Sequence, residues 1–407
     1  MISATSRPYI DASVPVLRQH GQAITTTFYR NMFAAHPELT NLFNMGNQAS
    51  GVQQQSLASA LFAYAANIDN MAALAPVASR IAHKHASVGL RADHYPIVGF
   101  HLLGAIREVL GEAATEPLLK AWEEAYGSLA RVLIDAEAKM YTDAGIEPGQ
   151  LRAMRVVEVT RESENVIAIR MIAADGGALP PFSAGQYVSV EAMFEDGRRQ
   201  LRQYSMSDAP GKDSLRISVK REDARGDGRE DGRERVAPAG AVSNWLHWNV
   251  EVGAVLQVSH PFGDFLPDTE SDAPIVLLSA GVGITPMIAA LNRIARVHPD
   301  RRVIFAHAAR SSAHHPHQED IAAAQARMPH LVVATFYEDA AGAGAGALPG
   351  QMALSCLPSW PRGETDVYLC GPLPFMQAQW QALLAAGVPA ARLQREVFGP
   401  DLLDHLL

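Results

Sequence analysis

The chain has 407 residues, more than one hydrophobic core usually organises, so two or three domains are expected, each able to bury a core of its own. Its 34 basic and 43 acidic residues leave a formal charge of −9, which repels phosphate backbones and argues against nucleic acid or an anionic membrane as main partner; small ligands are expected instead. Cys356 and Cys370 are too few for a disulfide framework, MISATSRPYI lacks the apolar stretch of a signal peptide, and no apolar run approaches the roughly 18 residues of a membrane span, so a cytoplasmic protein without obligatory membrane contact is predicted.

The first third reads as long helices. One is expected to begin at Pro76 and end near Gly89, with an apolar stripe of Val77, Ala78, Ile81 and Ala82 that His85 continues and His83 leaves. Residues two apart on a helix do not face one another, so the two histidines cannot chelate one ion, and only a single-histidine site or a hydrogen-bonded core histidine remains. The next helix is expected to start at Pro96, with Tyr95 extended before it and Val98, Leu102, Ile106 and Val109 buried. A third, from about Pro117 to Tyr141, buries Leu118, Trp122, Tyr126, Leu129, Leu133 and Met140, and its stripe also contains Glu137. A buried carboxylate requires a donor, which a histidine N–H and a tyrosine hydroxyl would supply; a surface-facing Glu137 at the edge of the stripe stays open on this reasoning.

Near DAGIEPGQL (143–151) the helical texture gives way to short alternating strands bounded by Gly and Pro, and after LPDTESDAP (266–274) apolar strands such as IVLLSA, RVIFAHA and DVYLCG alternate with helical stretches. Domains over 1–146, 152–266 and 267–407 are predicted: all-α, antiparallel β, and α/β with a parallel sheet. The charged segment 221–240 reads as a surface loop and the Ala/Gly run 340–347 as a flexible connection.

In LRQYSMSD (201–208) a strand places Arg202 and Tyr204 on one face and Gln203 and Ser205 on the other, presenting a cation and an aromatic ring together, which suits a flavin dinucleotide, with a chance pairing on an exposed strand as the alternative for this stretch alone. GQY (185–187) precedes it, and Ser243 in GAVSNWLH is placed to cap a helix whose free amides would receive phosphate. In IVLLSAGVGITPM (275–287) a buried strand runs into Gly281 and Gly283, which let the backbone approach a pyrophosphate, and Pro286 starts a helix; the third glycine of the dehydrogenase fingerprint is absent. Cys370-Gly371-Pro372 supplies a second close-approach turn at the same sheet edge, where a buried structural thiol is the alternative. Arg310 with Ser311 offers a cation for a 2′-phosphate, or merely a surface residue. His307, His314, His315 and His317 have the composition of a zinc site without its spacing, and a solvated loop is expected.

The stretches YRNMFAAHPEL (29–39), LFNM (42–45), HKHASVGL and HYPIVGFHLLGAI resemble the globin domain of bacterial flavohemoglobins, and the likeness extends to the C-terminus through LRQYS, GVGITPM, CGP and EVFGP. The resemblance implies an all-α globin domain, an antiparallel β-barrel FAD domain and an α/β parallel-sheet NAD(P) domain of the ferredoxin reductase type. It implies haem b with iron held by His85, Tyr95 and Glu137 around that imidazole, Phe43 and Lys84 at the haem, and Tyr29, Gln53 and Leu57 on the distal side. Tyr187, Arg202, Gln203, Tyr204, Ser205 and Ser243 would contact FAD. Gly281, Val282, Gly283, Ile284, Thr285, Pro286, Cys370, Gly371 and Pro372 would line the nicotinamide cofactor, NADH rather than NADPH. Glu396, Val397, Phe398, Gly399 and Pro400 would return to the flavin.

The activity implied is a nitric oxide dioxygenase, with Tyr29, Tyr95 and Glu137 in catalytic roles: NAD(P)H reduces FAD, FAD reduces haem iron, and oxygen held there converts nitric oxide to nitrate. The partners are then small molecules, O2, NO and NAD(P)H, and electron transfer needs no second protein. A flavohaem reductase of other acceptors, and a haem-based oxygen or nitric oxide sensor or carrier, are the alternatives.

Overall fold

The computed structural model describes residues 2–43, 45–68, 70–230, 233–341, 344 and 346–399; Pro400 and part of the Ala/Gly run lie outside them. Helices come first: α1 (Arg7–Ala35), α2 (Met45–Ala49), α3 (Val52–Ala66), α4 (Met71–Ser87), α5 (His94–Leu110) and α6 (Glu116–Ala144). In α1 the apolar residues Ile10, Leu17, Ile24, Phe28 and Met32 recur every seven or four positions, and this single face packs on Leu61, Phe62, Leu102, Ile106 and Trp122 from α3, α5 and α6. Full burial of such side chains contributes about 1.5–3 kcal/mol each. The Thr115 side chain accepts from Leu118 N at the start of α6, and the helix stops at Gly145, whose φ of 64° is left-handed and costs glycine nothing.

Two helix starts differ from expectation. α4 begins five residues before Pro76, which sits inside it; a proline this close to a helix start forfeits only one backbone hydrogen bond. Tyr95 is helical rather than extended, because Pro96 falls within the first turn of α5, where amides have no intrahelical partner to lose.

Next come β1 (Leu151–Arg161), β2 (Val166–Ala173), β3 (Tyr187–Met193), β4 (Arg199–Ser205), β5 (Leu215–Lys220), the hairpin of β6 (Arg225–Glu230) and β7 (Arg233–Ala237), α7 (Ala241–Asn249) and β8 (Val255–Ser259). The main sheet is antiparallel in the order β4-β3-β8-β1-β2-β5, and a bridge between Met206, just past β4, and Ile217 of β5 brings its two edges together as a barrel. The charged segment 221–240 is therefore no bare loop: backbone amides and carbonyls pair whatever the side chains are, so its lack of apolar alternation does not forbid a ladder.

The last part contains β9 (Ile275–Ala280), α8 (Ile284–Val297), β10 (Val303–Ala309), α9 (Gln318–Arg327), β11 (Leu331–Tyr337), β12 (Leu348–Pro349), β13 (Asp366–Cys370), α10 (Leu373–Ala385) and β14 (Leu393–Glu396). Its sheet is parallel, in the order β12-β11-β10-β9-β13-β14, with β9 buried throughout between two apolar layers. The chain winds outward from β9 through β10 to β12, then crosses to β13 and β14. This reversal opens a crevice at the carboxyl ends of β9 and β13, where open α/β sheets take their ligands. Among the described residues no helix is long and apolar enough to cross a membrane.

Candidate functional site

α4, α5 and α6 converge on one buried polar group. Nδ1 of His85 lies 2.8 Å from Glu137 Oε1 and 3.1 Å from the Tyr95 hydroxyl, and that hydroxyl donates to the same oxygen at 2.5 Å. The carboxylate only accepts, so Nδ1 carries the proton and Nε2 keeps its lone pair. Among the described residues nothing hydrogen-bonds to Nε2, which suits a metal ligand. Glu137 is 2% exposed, so the surface-facing alternative is excluded. Burial, and then the hydrogen bond and charge of Glu137, push the Tyr95 phenol far above its usual range and keep it a donor. The Tyr126 hydroxyl, which the sequence did not single out, steadies Tyr95 by donating to its backbone carbonyl at 2.7 Å.

Tyr29 lies on α1, where Phe28, Phe33 and Phe43 surround its ring at 4.7, 5.7 and 5.8 Å. Burial pushes its phenol up to about 12, opposed by hydrogen bonding with Gln53 and Gln48, so the hydroxyl stays protonated at any ordinary pH. Leu57 of α3 packs on the same core.

In the barrel, Arg202 is largely buried, and its guanidinium bonds only neutral acceptors, Leu201 O and Gln200 Oε1, both at 2.7 Å. No carboxylate among the described residues pairs with it, and burial lowers its pKa. A buried cation without a counter-charge is a fitted place for an anion. Tyr204 and Ser205 follow on the strand, and Tyr187 pairs with Ser205 across the ladder. Ser243 does not cap α7. Gly240 is the cap, and the Ser243 hydroxyl, three residues in, donates to Gly240 O at 3.1 Å and accepts from Glu222 N at 3.2 Å. The side chain closes a local turn at the helix start, which spacing alone cannot separate from a cap.

At the crevice Gly281 has a φ of 54° and opens a short 3-10 turn through Gly283, so the α8 helix starts at Ile284, two residues before Pro286. A Cβ on Gly283 would lie 2.4 Å from the Cys370 carbonyl oxygen, and one on Gly371 would meet Phe375 at 2.8 Å. Val282 O accepts from Thr285 Oγ1 at 3.0 Å. Ile284, Thr285, Pro286 and Cys370 bury their side chains, so the edge is lined by backbone. Pro372 caps α10. Burial, with the Glu396 charge beside it, pushes the Cys370 thiol well up.

Residues 26–133 match the globin family model and residues 277–381 that of the oxidoreductase NAD-binding domain. The chain is 48% identical over 413 residues to a flavohemoprotein of Chromobacterium violaceum, covering 98% of both chains, and 46% identical to one of Bordetella pertussis, covering 98% of this chain and 99% of that one. The chain belongs to the flavohemoprotein family. Its fold matches the crystal structure of a flavohemoglobin from Malassezia yamatoensis with bound FAD and heme, at 31% identity and a TM-score of 0.84 over 98% of this chain and 100% of that one. Its last two domains match the FAD/NAD-binding domain of a nitric oxide dioxygenase from Vibrio cholerae, at 38% identity and a TM-score of 0.54 over 61% of this chain and 99% of that one.

In this flavohemoprotein fold the last turn of α4 joins all three domains. Lys84 Nζ donates to Gly399 O at 2.7 Å, Gln203 Nε2 donates to Ser87 Oγ at 2.8 Å, and Ala86 packs with Tyr141, Tyr187 and Phe262. His83, half-buried and off the stripe that carries His85, accepts at Nδ1 from Gly263 N at 3.1 Å, in the segment after β8. Ser87, Gly263 and Phe262 carry no motif, so only the packing of one domain on another reveals them. Glu396 is paired with Cys370 in the sheet, and burial pushes its carboxyl up to about 7, with Lys84 and Arg80 opposing and Asp264 reinforcing. Val397 is buried, whereas Phe398 is 44% exposed and Gly399 adopts a φ of 108°.

The histidine cluster is a correction. His307, His315 and His317 are at most 4% exposed, not solvated. His307 Nδ1 and Ser279 Oγ are 2.9 Å apart, His315 Nδ1 and the Tyr337 hydroxyl 2.8 Å, and His317 Nδ1 lies 2.9 Å from Asp320 Oδ2. Glu162, His317 and Asp320 bring ligand atoms within 4.8 Å of one another, yet Arg216 Nη2 donates to Asp320 at 2.9 Å and fills the place of a cation. Each of these rings is paired at Nδ1, while Nε2 of His307 and of His315 is buried without a partner among the described residues, and none of these pairings leaves an apolar signature in the sequence.

Proposed function

We propose that the chain is an NAD(P)H-dependent nitric oxide dioxygenase that binds haem b, FAD and a nicotinamide cofactor. The observation that carries this reading is the His85–Tyr95–Glu137 group, whose only unengaged ring nitrogen is the one a haem iron requires. The bound iron supplies oxygen binding and one-electron chemistry, and the flavin converts a hydride into single electrons.

The chain's own residues do the rest. His85 Nε2 ligates, while Glu137 and Tyr95 hold the Nδ1 proton and make the imidazole a stronger donor. Tyr29, protonated up to about pH 12, would offer its O–H to an anionic ligand of the haem, with Gln53 hydrogen-bonded to it and Leu57 and Phe43 restricting access. Arg202 neutralises the FAD pyrophosphate, and Tyr204 and Tyr187 present aromatic faces to the flavin. Gly281, Gly283 and Gly371 admit the nicotinamide cofactor, and Lys84 ties the C-terminal segment to the helix bearing His85. NADH is read as the donor, since Arg310 is exposed and the Ser311 hydroxyl is engaged with His314 at 2.9 Å. Each reduced nicotinamide then supports conversion of two nitric oxide and two oxygen molecules into two nitrates.

The bound FAD and heme of the Malassezia flavohemoglobin and the named activity of the Vibrio protein support this reading. The test is to reduce the holoprotein anaerobically with NADH, add oxygen, and follow nitric oxide consumption against nitrate yield. Consumption without nitrate overturns it.

A further inference from the structure

Behind the His85 group lies a cleft of about 480 Å³, walled by the connection between α4 and α5, the C-terminal half of α6 and the linker into the barrel. Leu90, Ile134 and Ala138 make its wall largely apolar, and Glu137 forms part of it. Both hydrogen bonds that Glu137 accepts fall on Oε1. Oε2 has no hydrogen-bond partner among the described residues, and it is not among the buried atoms sealed from solvent without one. A buried carboxylate that lines the cleft thus keeps one oxygen without a hydrogen-bond partner among the described residues.

We propose that this cleft binds a small organic ammonium ion, which engages Glu137 Oε2 and modulates the iron ligand through it. An ionised carboxylate oxygen only accepts, so the ligand must donate, and a charge-assisted donor is the strongest. The electrostatics favour a cation. Glu147 lines the cleft, α6 ends there with its negative dipole end, and the one cation in the wall, Arg91, is already paired with Asp93 at 3.1 Å. A hard metal ion, which needs six or more oxygens, is poorly served by this apolar wall, whereas an alkyl chain is well served. The ammonium draws negative charge toward Oε2, Oε1 becomes a weaker acceptor for His85 Nδ1–H, and the imidazole donates less to the iron. This coupling rests on the reading of His85 as iron ligand.

The test is the iron–histidine stretching band in the resonance Raman spectrum of the ferrous, ligand-free holoprotein, titrated with propylammonium chloride, with 1-propanol and sodium chloride as controls. A saturable downshift with propylammonium alone is expected. Ala138→Phe, which fills the cleft, should abolish it, and Glu147→Gln should weaken half-saturation about threefold, as loss of an exposed ion pair does. A band that does not move, or that moves equally with 1-propanol or sodium chloride, overturns the site, and so does an undiminished response in a folded Ala138→Phe variant. If that variant fails to fold, a Glu147→Gln response equal to that of the unmodified protein overturns it. A holoprotein with no such band overturns His85 ligation itself, a failure distinct from that of the cleft.

Discussion

Lys84 and His85, adjacent on α4, face different domains: Lys84 Nζ lies 2.7 Å from Gly399 O in the C-terminal segment, and His85 Nδ1 lies 2.8 Å from Glu137 Oε1 in the helical core. Successive helical residues diverge by about 100°, so one turn serves both partners. The proposed iron ligand and the anchor of the reductase are therefore held by the same backbone, with no mobile linker between them.

His85→Ala should abolish the ferrous five-coordinate histidine spectrum and nitric oxide consumption, while NADH-driven reduction of an artificial acceptor at the flavin survives. His83→Ala should keep iron ligation but leave Gly263 N–H without its partner, at a cost of about 1–3 kcal/mol if that amide is shielded from water. The absorption spectra and denaturation midpoints of the two variants check this. Loss of ligation in the His83 variant alone would contradict the register of α4.

Tyr29→Phe should retain haem and flavin and speed oxygen dissociation roughly tenfold to a hundredfold, since a hydrogen bond to a charged ligand contributes about 1.5–3 kcal/mol. Stopped-flow displacement of oxygen measures it. Unchanged kinetics would remove Tyr29 from the distal role.

Arg202→Ala should weaken FAD retention by about tenfold or more while the haem spectrum stays intact, because the guanidinium has no carboxylate partner among the described residues and bonds only two neutral acceptors, which leaves its charge for the cofactor's phosphates. Flavin fluorescence after gel filtration gives the answer. Release of haem with flavin retained would contradict the placement of the two sites.

Gly283→Ala should damage the NAD(P) domain in particular, since the new Cβ falls 2.4 Å from a backbone oxygen of Cys370, which has no flexible side chain to yield. Forcing the two strand ends apart should cost about 1–3 kcal/mol and raise KM for NADH more than it alters oxygen binding. A KM equal to that of the unmodified protein would show that the turns relax freely.

Glu396 gives a pH dependence of definite sign. Its carboxyl is pushed up to about 7 in the fold from 4.5, so between these values the folded chain holds more protons than the unfolded one, and stability falls as pH rises. The contribution is on the order of 3 kcal/mol, from 1.36 kcal/mol per unit. Glu396→Gln should flatten that slope in urea midpoints measured from pH 4.5 to 7, and an unchanged slope would refute it.

What the sequence determined by itself is whatever depends on one element and its period. The stripe of α4 included His85 and excluded His83, the stripe of α6 included Glu137, and the Gly281, Gly283 and Gly371 turns marked the end of a buried strand, because periodicity reports which face of an element is turned inward. Tertiary structure alone decided what each face meets. His83 turned out to face Gly263 of the barrel, Ser243 closed its own turn instead of capping, the charged run 221–240 paired into a hairpin, and His307, His315 and His317 were buried among polar partners from distant strands. The pairings of His83, His307 and His315, and that of Ser243 with Glu222, depend on hydrogen bonds between groups far apart in the chain, and the hairpin depends on backbone groups that no side chain reports. Such bonds leave no pattern in local composition, since a polar side chain reads the same whether its partner is water or another domain.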